Sequence, residues 1–139
     1  MGKLTVGGLD ELMNDFAALA SLPDSVTDAI LNAEADVVVS AQQKEAASRW
    51  RGPYATGTTA RSIKKGTPKR VKGGKSIIVS PQGKNKRGAR NAEVAFINEY
   101  GKRGQPARPA IRTANAQAEQ QAVDAGEKAY NSYLNSKKL

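Results

Sequence analysis

Apolar residues recur every three or four positions over two long stretches of the chain, and at shorter, strand-like spacing between them. In residues 9–20, Leu9, Leu12, Phe16 and Leu19 share one helical face, with Asp10 and Glu11 near the start, where carboxylates favour a helix N-terminus. This predicts a short N-terminal helix, broken at Ser21-Leu22-Pro23. From Pro23, which suits a first helical turn, to about Ser48 there is neither Gly nor Pro. Val26, Ile30, Ala33, Val37 and Ala41 keep the helical interval throughout. The expected helix has about 25 residues and a length of roughly 37 Å. Val37–Val39 is locally strand-like, but the flanking pattern outweighs it.

Gly52, Pro53 and Gly57 end that helix. Three β-type runs follow: Arg61 to Lys65, Lys75 to Ser80 ("KSIIVS") and Ala92 to Ile97 ("AEVAFI"). Gly- and Lys-rich loops join them, with too few apolar residues to pack, so mobile tips are expected. From Pro109 to about Leu134 the helical interval returns in Ile111, Ala114, Ala118, Ala122, Ala125, Ala129 and Tyr133. That stripe is mostly alanine, which permits close helix approach. Gly126 within it costs about 1 kcal/mol relative to Ala. The expected fold is α+β in one domain over 1–139. A long central helix and a C-terminal helix pack on a small antiparallel sheet with basic loops, preceded by the short N-terminal helix. Residues 1–8 and 135–139 are expected as flexible ends.

Charge sharpens this picture. The formal net charge is +9, and it is segregated. Residues 1–48 carry a net −6, residues 49–112 a net +15, and residues 113–139 are balanced. A basic middle favours a polyanionic or acidic partner. Cysteine and histidine are both absent, which removes thiolate chemistry, the commonest general base and the commonest nitrogen metal ligand. No apolar segment follows Met1-Gly2-Lys3 as a signal peptide would, and the longest aliphatic run, Val37–Val39, is far too short to span a bilayer. The expectation is a soluble protein with no membrane association.

Candidate chemistry is sparse. Gly74-Lys75-Ser76 ends like a phosphate-binding loop, but Lys69 stands where the first glycine belongs, and a β-branched run follows instead of a helix. Pro68 to Lys72 ("PKRVK") reads as a solvated hairpin tip rather than an import signal. Glu93 and Glu99 are the only carboxylates of the basic segment, and Ser62 and Ser76 have no evident base. No enzymatic activity is expected. Trp50 and Tyr54 are the aromatic residues near the cations available for base stacking, and no base-reading signature accompanies them. The loops could contact nucleic-acid phosphates without sequence preference, dock on acidic protein surfaces, or serve as a solvated face.

The order of the pieces is informative. A Leu-rich first segment and "LPDSVTDAILNAEADVVVSAQQ" precede "GPYATGTTARSI", a strand pair, and "VAFINEYGKRGQPARPAIRTA". Over residues 9–134 this resembles the minor tail-component family of long-tailed bacteriophages, the tail-completion or head–tail joining proteins. The resemblance rests on Glu99-Tyr100-Gly101, on Pro106-Ala107-Arg108-Pro109, and on the spacing of Thr56-Gly57 and Ser62-Ile63. The chain departs from the family pattern at Lys102, Ala110-Ile111 and Thr59. The resemblance implies a virion structural protein of the neck, made in the host bacterial cytoplasm, with no cofactor and no reaction. It implies a homo-oligomeric ring, hexameric by family analogy, between the head-side connector or stopper and the tail terminator or tail tube. Genomic DNA would pass through the channel without sequence-specific contacts. Tail completion, tail termination and stopper roles all stay open. Candidate DNA-channel or partner contacts are Lys64, Lys65, Lys69, Arg70, Lys72, Lys84, Lys86, Arg87 and Arg90. The alternative is a small basic nucleic-acid-binding protein without sequence specificity.

One stretch, Ile97 to Ala114, crowds the end of a strand-like hydrophobic run, a basic corner and a helix start together. Gly101 and Gly104 permit a sharp exit, and Pro106 and Pro109 stiffen the chain beyond them. Glu99, Tyr100, Gly101, Pro106, Arg108 and Pro109 are therefore expected to form a structural elbow and subunit contact. Lys102, Arg103 or Arg108 is the expected ion-pair partner of Glu99.

Overall fold

Two long helices and a small sheet dominate the computed structural model, which describes residues 2–6, 10–14, 22–51 and 56–137. In chain order the elements are β1 (Gly2–Val6), β2 (Asp10–Asn14), α1 (Asp24–Arg49), α2 (Thr58–Arg61), β3 (Ile63–Lys65), β4 (Lys69–Val71), β5 (Gly74–Pro81), α3 (Asn91–Tyr100) and α4 (Ile111–Ser136). The fold is α+β, as the hydrophobic pattern predicts, with both long helices within two residues of their expected ends.

Helices α1 and α4 pack antiparallel. Val26 and Ile30 near the start of α1 meet Ala129, Tyr130 and Tyr133 near the end of α4. Farther along, buried Gln42 of α1 donates to Asn115 Oδ1 at 2.9 Å near the start of α4. The α4 face is small, with Ala114, Ala118 and Ala122 buried as the alanine stripe predicts. The buried line on α1 differs from the expected one. It runs Val26, Ile30, Glu34, Val38, Gln42, Ala46, whereas Ala33, Val37 and Ala41 lie at its edge. Two polar side chains on the buried line hide it from an apolar periodicity.

Strand β5 is the centre of the sheet. β3 and β4 pair with it antiparallel along one edge. They form one arm of a hairpin in which residues 66–68 face only residues 77–78, a one-residue bulge. Gly66 N–H still donates to the Ile78 carbonyl at 2.7 Å. The other edge of β5 pairs in parallel with β1, which pairs antiparallel with β2. The inward side chains of the hairpin, Ile63, Ile77 and Val79, are fully buried and join Leu31, Ala35 and Val38 of α1 in one core. Burial of each such side chain contributes about 1.5–3 kcal/mol.

Three expectations are corrected. Asp10–Asn14 is a strand, because the β1 ladder satisfies its backbone groups and overrides the local helical spacing; the rest of the predicted helix over 9–20 lies outside the described residues. Gly2–Val6, expected as part of a loose end, is strand β1. Residues 92–97 are helical, within α3, not a third antiparallel strand. There the buried positions are Asn91, Ala95 and Glu99, one per turn, and the apparent alternation of Val94 and Phe96 leaves Phe96 61% exposed.

Candidate functional site

The chain's most constrained chemistry lies at the corner between α3 and α4. Ala110, the residue before α4, has no side-chain oxygen to cap the orphan amides of a helix start. Glu99 does so from the last turn of α3. Its Oε1 accepts the N–H groups of Ala110 and Ile111, both at 2.8 Å, and its Oε2 accepts that of Arg112 at 3.0 Å. Arg112 Nε also donates to Oε2 at 3.1 Å, and its Nη2 donates to the Glu99 carbonyl. The carboxylate is 1% exposed and sits at the positive end of the α4 dipole. Helix α4 thus begins two residues later than Pro109. The partner of Glu99 is Arg112, not Lys102, Arg103 or Arg108.

The remaining elbow residues bring in the end of α1. Arg108 N–H donates to the Asn98 carbonyl, and its guanidinium donates to the Arg51 carbonyl just past α1. Trp50, which ends α1, returns an indole N–H to the Arg108 carbonyl at 2.9 Å. Three helix ends therefore meet at this corner. Between them, Lys102 and Gln105 exchange backbone hydrogen bonds around a tight turn. Gly101 is required there: its φ is +80°, and a Cβ would stand 2.7 Å from Ala107 N and from Gln105 O. Outside the corner, Tyr100 is 41% exposed between the Phe96 ring and the Arg112 guanidinium. Sequence reasoning missed Trp50, Asn98 and Arg112; the i+13 offset of Arg112 from Glu99 leaves no local signal.

The nine basic candidates divide into groups. Lys65 pairs with Asp36 at 2.8 Å and Arg70 with Asp24 at 2.5 Å. Lys75 joins them on the same face, 2.5 Å from Asp28. Acids of the negative first third of the chain thus neutralise part of the positive middle. Arg90 lies 3.6 Å from Glu93 across one turn of helix. Lys64, Lys69, Lys72, Lys84, Lys86 and Arg87 are exposed and form no ion pair among the described residues. The expected mobile tip at 84–90 is a bonded turn: Asn85 Oδ1 accepts the N–H groups of Arg87 and Ala89, and Asn91 Nδ2 donates to Gln82 O.

The other motifs resolve as structure. Lys72 and Gly73 form a hairpin turn, Gly74 opens β5, and Lys75 reaches Asp28, so this is no phosphate-binding loop. Trp50 is 7% exposed and closed to base stacking; Tyr54 lies outside the described residues. Ser62 Oγ donates to the Thr59 carbonyl. Among the described residues no acidic cluster could hold a metal ion, and no helix is long and apolar enough to cross a membrane. A cleft of about 520 Å³ opens between the end of α1, α2 and the 84–89 turn, carrying Arg51 and Arg87 and no carboxylate. Compared with family models, curated proteins and solved structures, the chain matches none.

Proposed function

We propose that the chain is a structural protein of a bacteriophage neck, assembling as a homo-oligomeric ring that joins the head connector to the tail around the DNA channel. The reading starts from the family resemblance. The observation that supports it is the use to which the resembling residues are put. Glu99, Gly101 and Arg108 spend their hydrogen-bonding groups and backbone geometry on locking three helix ends, and Tyr100 stacks on the outside of the joint. A motif devoted to a rigid corner suits a scaffold that must present its surfaces at fixed angles. In this reading the partners are further copies of the chain, the connector or stopper, the terminator or tail tube, and channel DNA met through its phosphates.

Negative-stain images of tails assembled with and without the protein test the reading. The expected result is a ring at the neck that is lost with the protein, and a normal neck in its absence would overturn it. Reversing the charges of Lys84, Lys86, Arg87 and Arg90 should block head–tail joining or DNA retention.

Six of the candidate cations, exposed and outside any ion pair among the described residues, favour one second reading, a free nucleic-acid-binding protein. It requires the isolated chain to bind duplex DNA with an affinity that falls steeply with salt. The neck reading requires little affinity outside the assembled particle.

A further inference from the structure

The hairpin of β3, β4 and β5 has two faces of similar chemical make-up, and among the described residues only one is covered by a helix. On the inner face, Ile63, Ile77 and Val79 form a fully buried apolar centre flanked by Lys65, Arg70 and Lys75. An amphipathic acidic helix, α1, covers it. Leu31, Ala35 and Val38 meet the apolar centre, while Asp36, Asp24 and Asp28 take the three cations.

On the outer face, the register sets Lys64 opposite Ser80 and Lys69 opposite Ser76. Val71 and Ile78 stand on the same side and are 42% and 50% exposed. Both lysines are exposed and without an ion pair among the described residues. The outer face repeats the inner pattern, β-branched apolar side chains beside lysines.

We propose that this outer face docks an acidic amphipathic helix of a partner protein. Carboxylates of the partner pair with Lys64 and Lys69, and its apolar stripe covers Val71 and Ile78. Charge complementarity sets the sign of the partner, and α1 on the reverse side shows the chemistry that such a surface accepts. Duplex DNA fits less well. Its phosphates would take the two lysines but leave Val71 and Ile78 against a solvated backbone, with no gain from their burial.

The test uses the full chain, isotopically labelled, and two synthetic peptides. One has the sequence of residues 24–49; the other is the same with Asp24, Asp28 and Asp36 changed to Asn. The acidic peptide should shift the amide resonances of Lys64, Lys69, Val71 and Ile78. The K64E/K69E and I78S variants, both surface changes, should each weaken binding roughly tenfold, the scale of a lost interface anchor. The Asn peptide should be weakened likewise. No shift at these residues up to millimolar peptide would overturn the proposal. So would undiminished binding by I78S, which would mean charge alone, or tighter occupation of the same residues by a short duplex DNA. This docking is independent of the neck reading, which the particle images test separately.

Discussion

Gly126 on α4 faces Glu34 on α1 so closely that a Cβ at residue 126 would stand 2.7 Å from Glu34 Oε1. A buried carboxylate in a helix–helix contact needs room, and the glycine supplies it. Alanine elsewhere in an exposed helix would gain about 1 kcal/mol over glycine. Here Gly126→Ala should instead lower stability by about 1–3 kcal/mol through overpacking. Urea unfolding of a double-mutant cycle with Glu34→Ala checks this. The alanine should become neutral or favourable once Glu34 is gone, and additive effects would refute the steric account.

Glu99 should be worth more than its arginine partner. Glu99→Ala strips three amides of their acceptor at a buried helix start, for an expected loss of about 3–5 kcal/mol. Arg112→Ala removes a half-exposed partner and should cost about 1 kcal/mol or less. Denaturant midpoints, together with hydrogen exchange at Ala110 to Arg112, separate the two. Equal losses would mean that the ion pair, rather than the amides, holds the joint.

At Gly101, two independent constraints act on any side chain. The positive φ is strained for alanine, and the added Cβ meets backbone atoms that have no rotamer to escape into. Gly101→Ala should therefore cost about 2–4 kcal/mol, whereas Gly104→Ala, with open space around its Cβ, should cost only its φ strain, about 1 kcal/mol. Thermal melts of the two variants should rank in that order.

The aspartates of α1 should clamp the hairpin in a salt-dependent way. Their carboxylates are more than a third exposed, so each pair contributes little. Replacing Asp24, Asp28 and Asp36 together by Asn should lower stability by about 1–2 kcal/mol at low ionic strength, and by less in high salt. Exchange at Gly74 to Ser76 should quicken in the variant. Identical exchange in both proteins would leave the clamp without support.

The legible parts of the fold were those whose burial is apolar. Helices α1 and α4 follow from long Gly- and Pro-poor stretches with aliphatic or alanine spacing, and β5 from its β-branched run. Helix α3 was not legible, because two of its three buried residues, Asn91 and Glu99, are polar, while Val94 and Phe96 imitate a strand. The same blindness moved the buried line of α1, which passes through Glu34 and Gln42. Strand β2 depends on its pairing with β1, which the helical spacing of its own apolar residues does not signal. Of the candidate site, Pro, Gly and Glu-aromatic-Gly signalled an elbow, but not that Glu99 would cap α4 or that Trp50 would close the corner. Nor could charge counting separate Lys65 and Arg70, held by aspartates, from Lys64 and Lys69.

That separation depends on the bulge at residues 66–68. Lys64 and Lys69 are an odd number of residues apart, so an unbroken strand would send them to opposite sides. The one extra residue resets the alternation, and with it decides which cations meet aspartate and which meet solvent. Paired regularly at its full length, without the bulge, the same arm would carry Lys69 and Val71 inward and Arg70 outward. The place of one unpaired residue thus sorts the charge the molecule keeps for itself from the charge it offers to others.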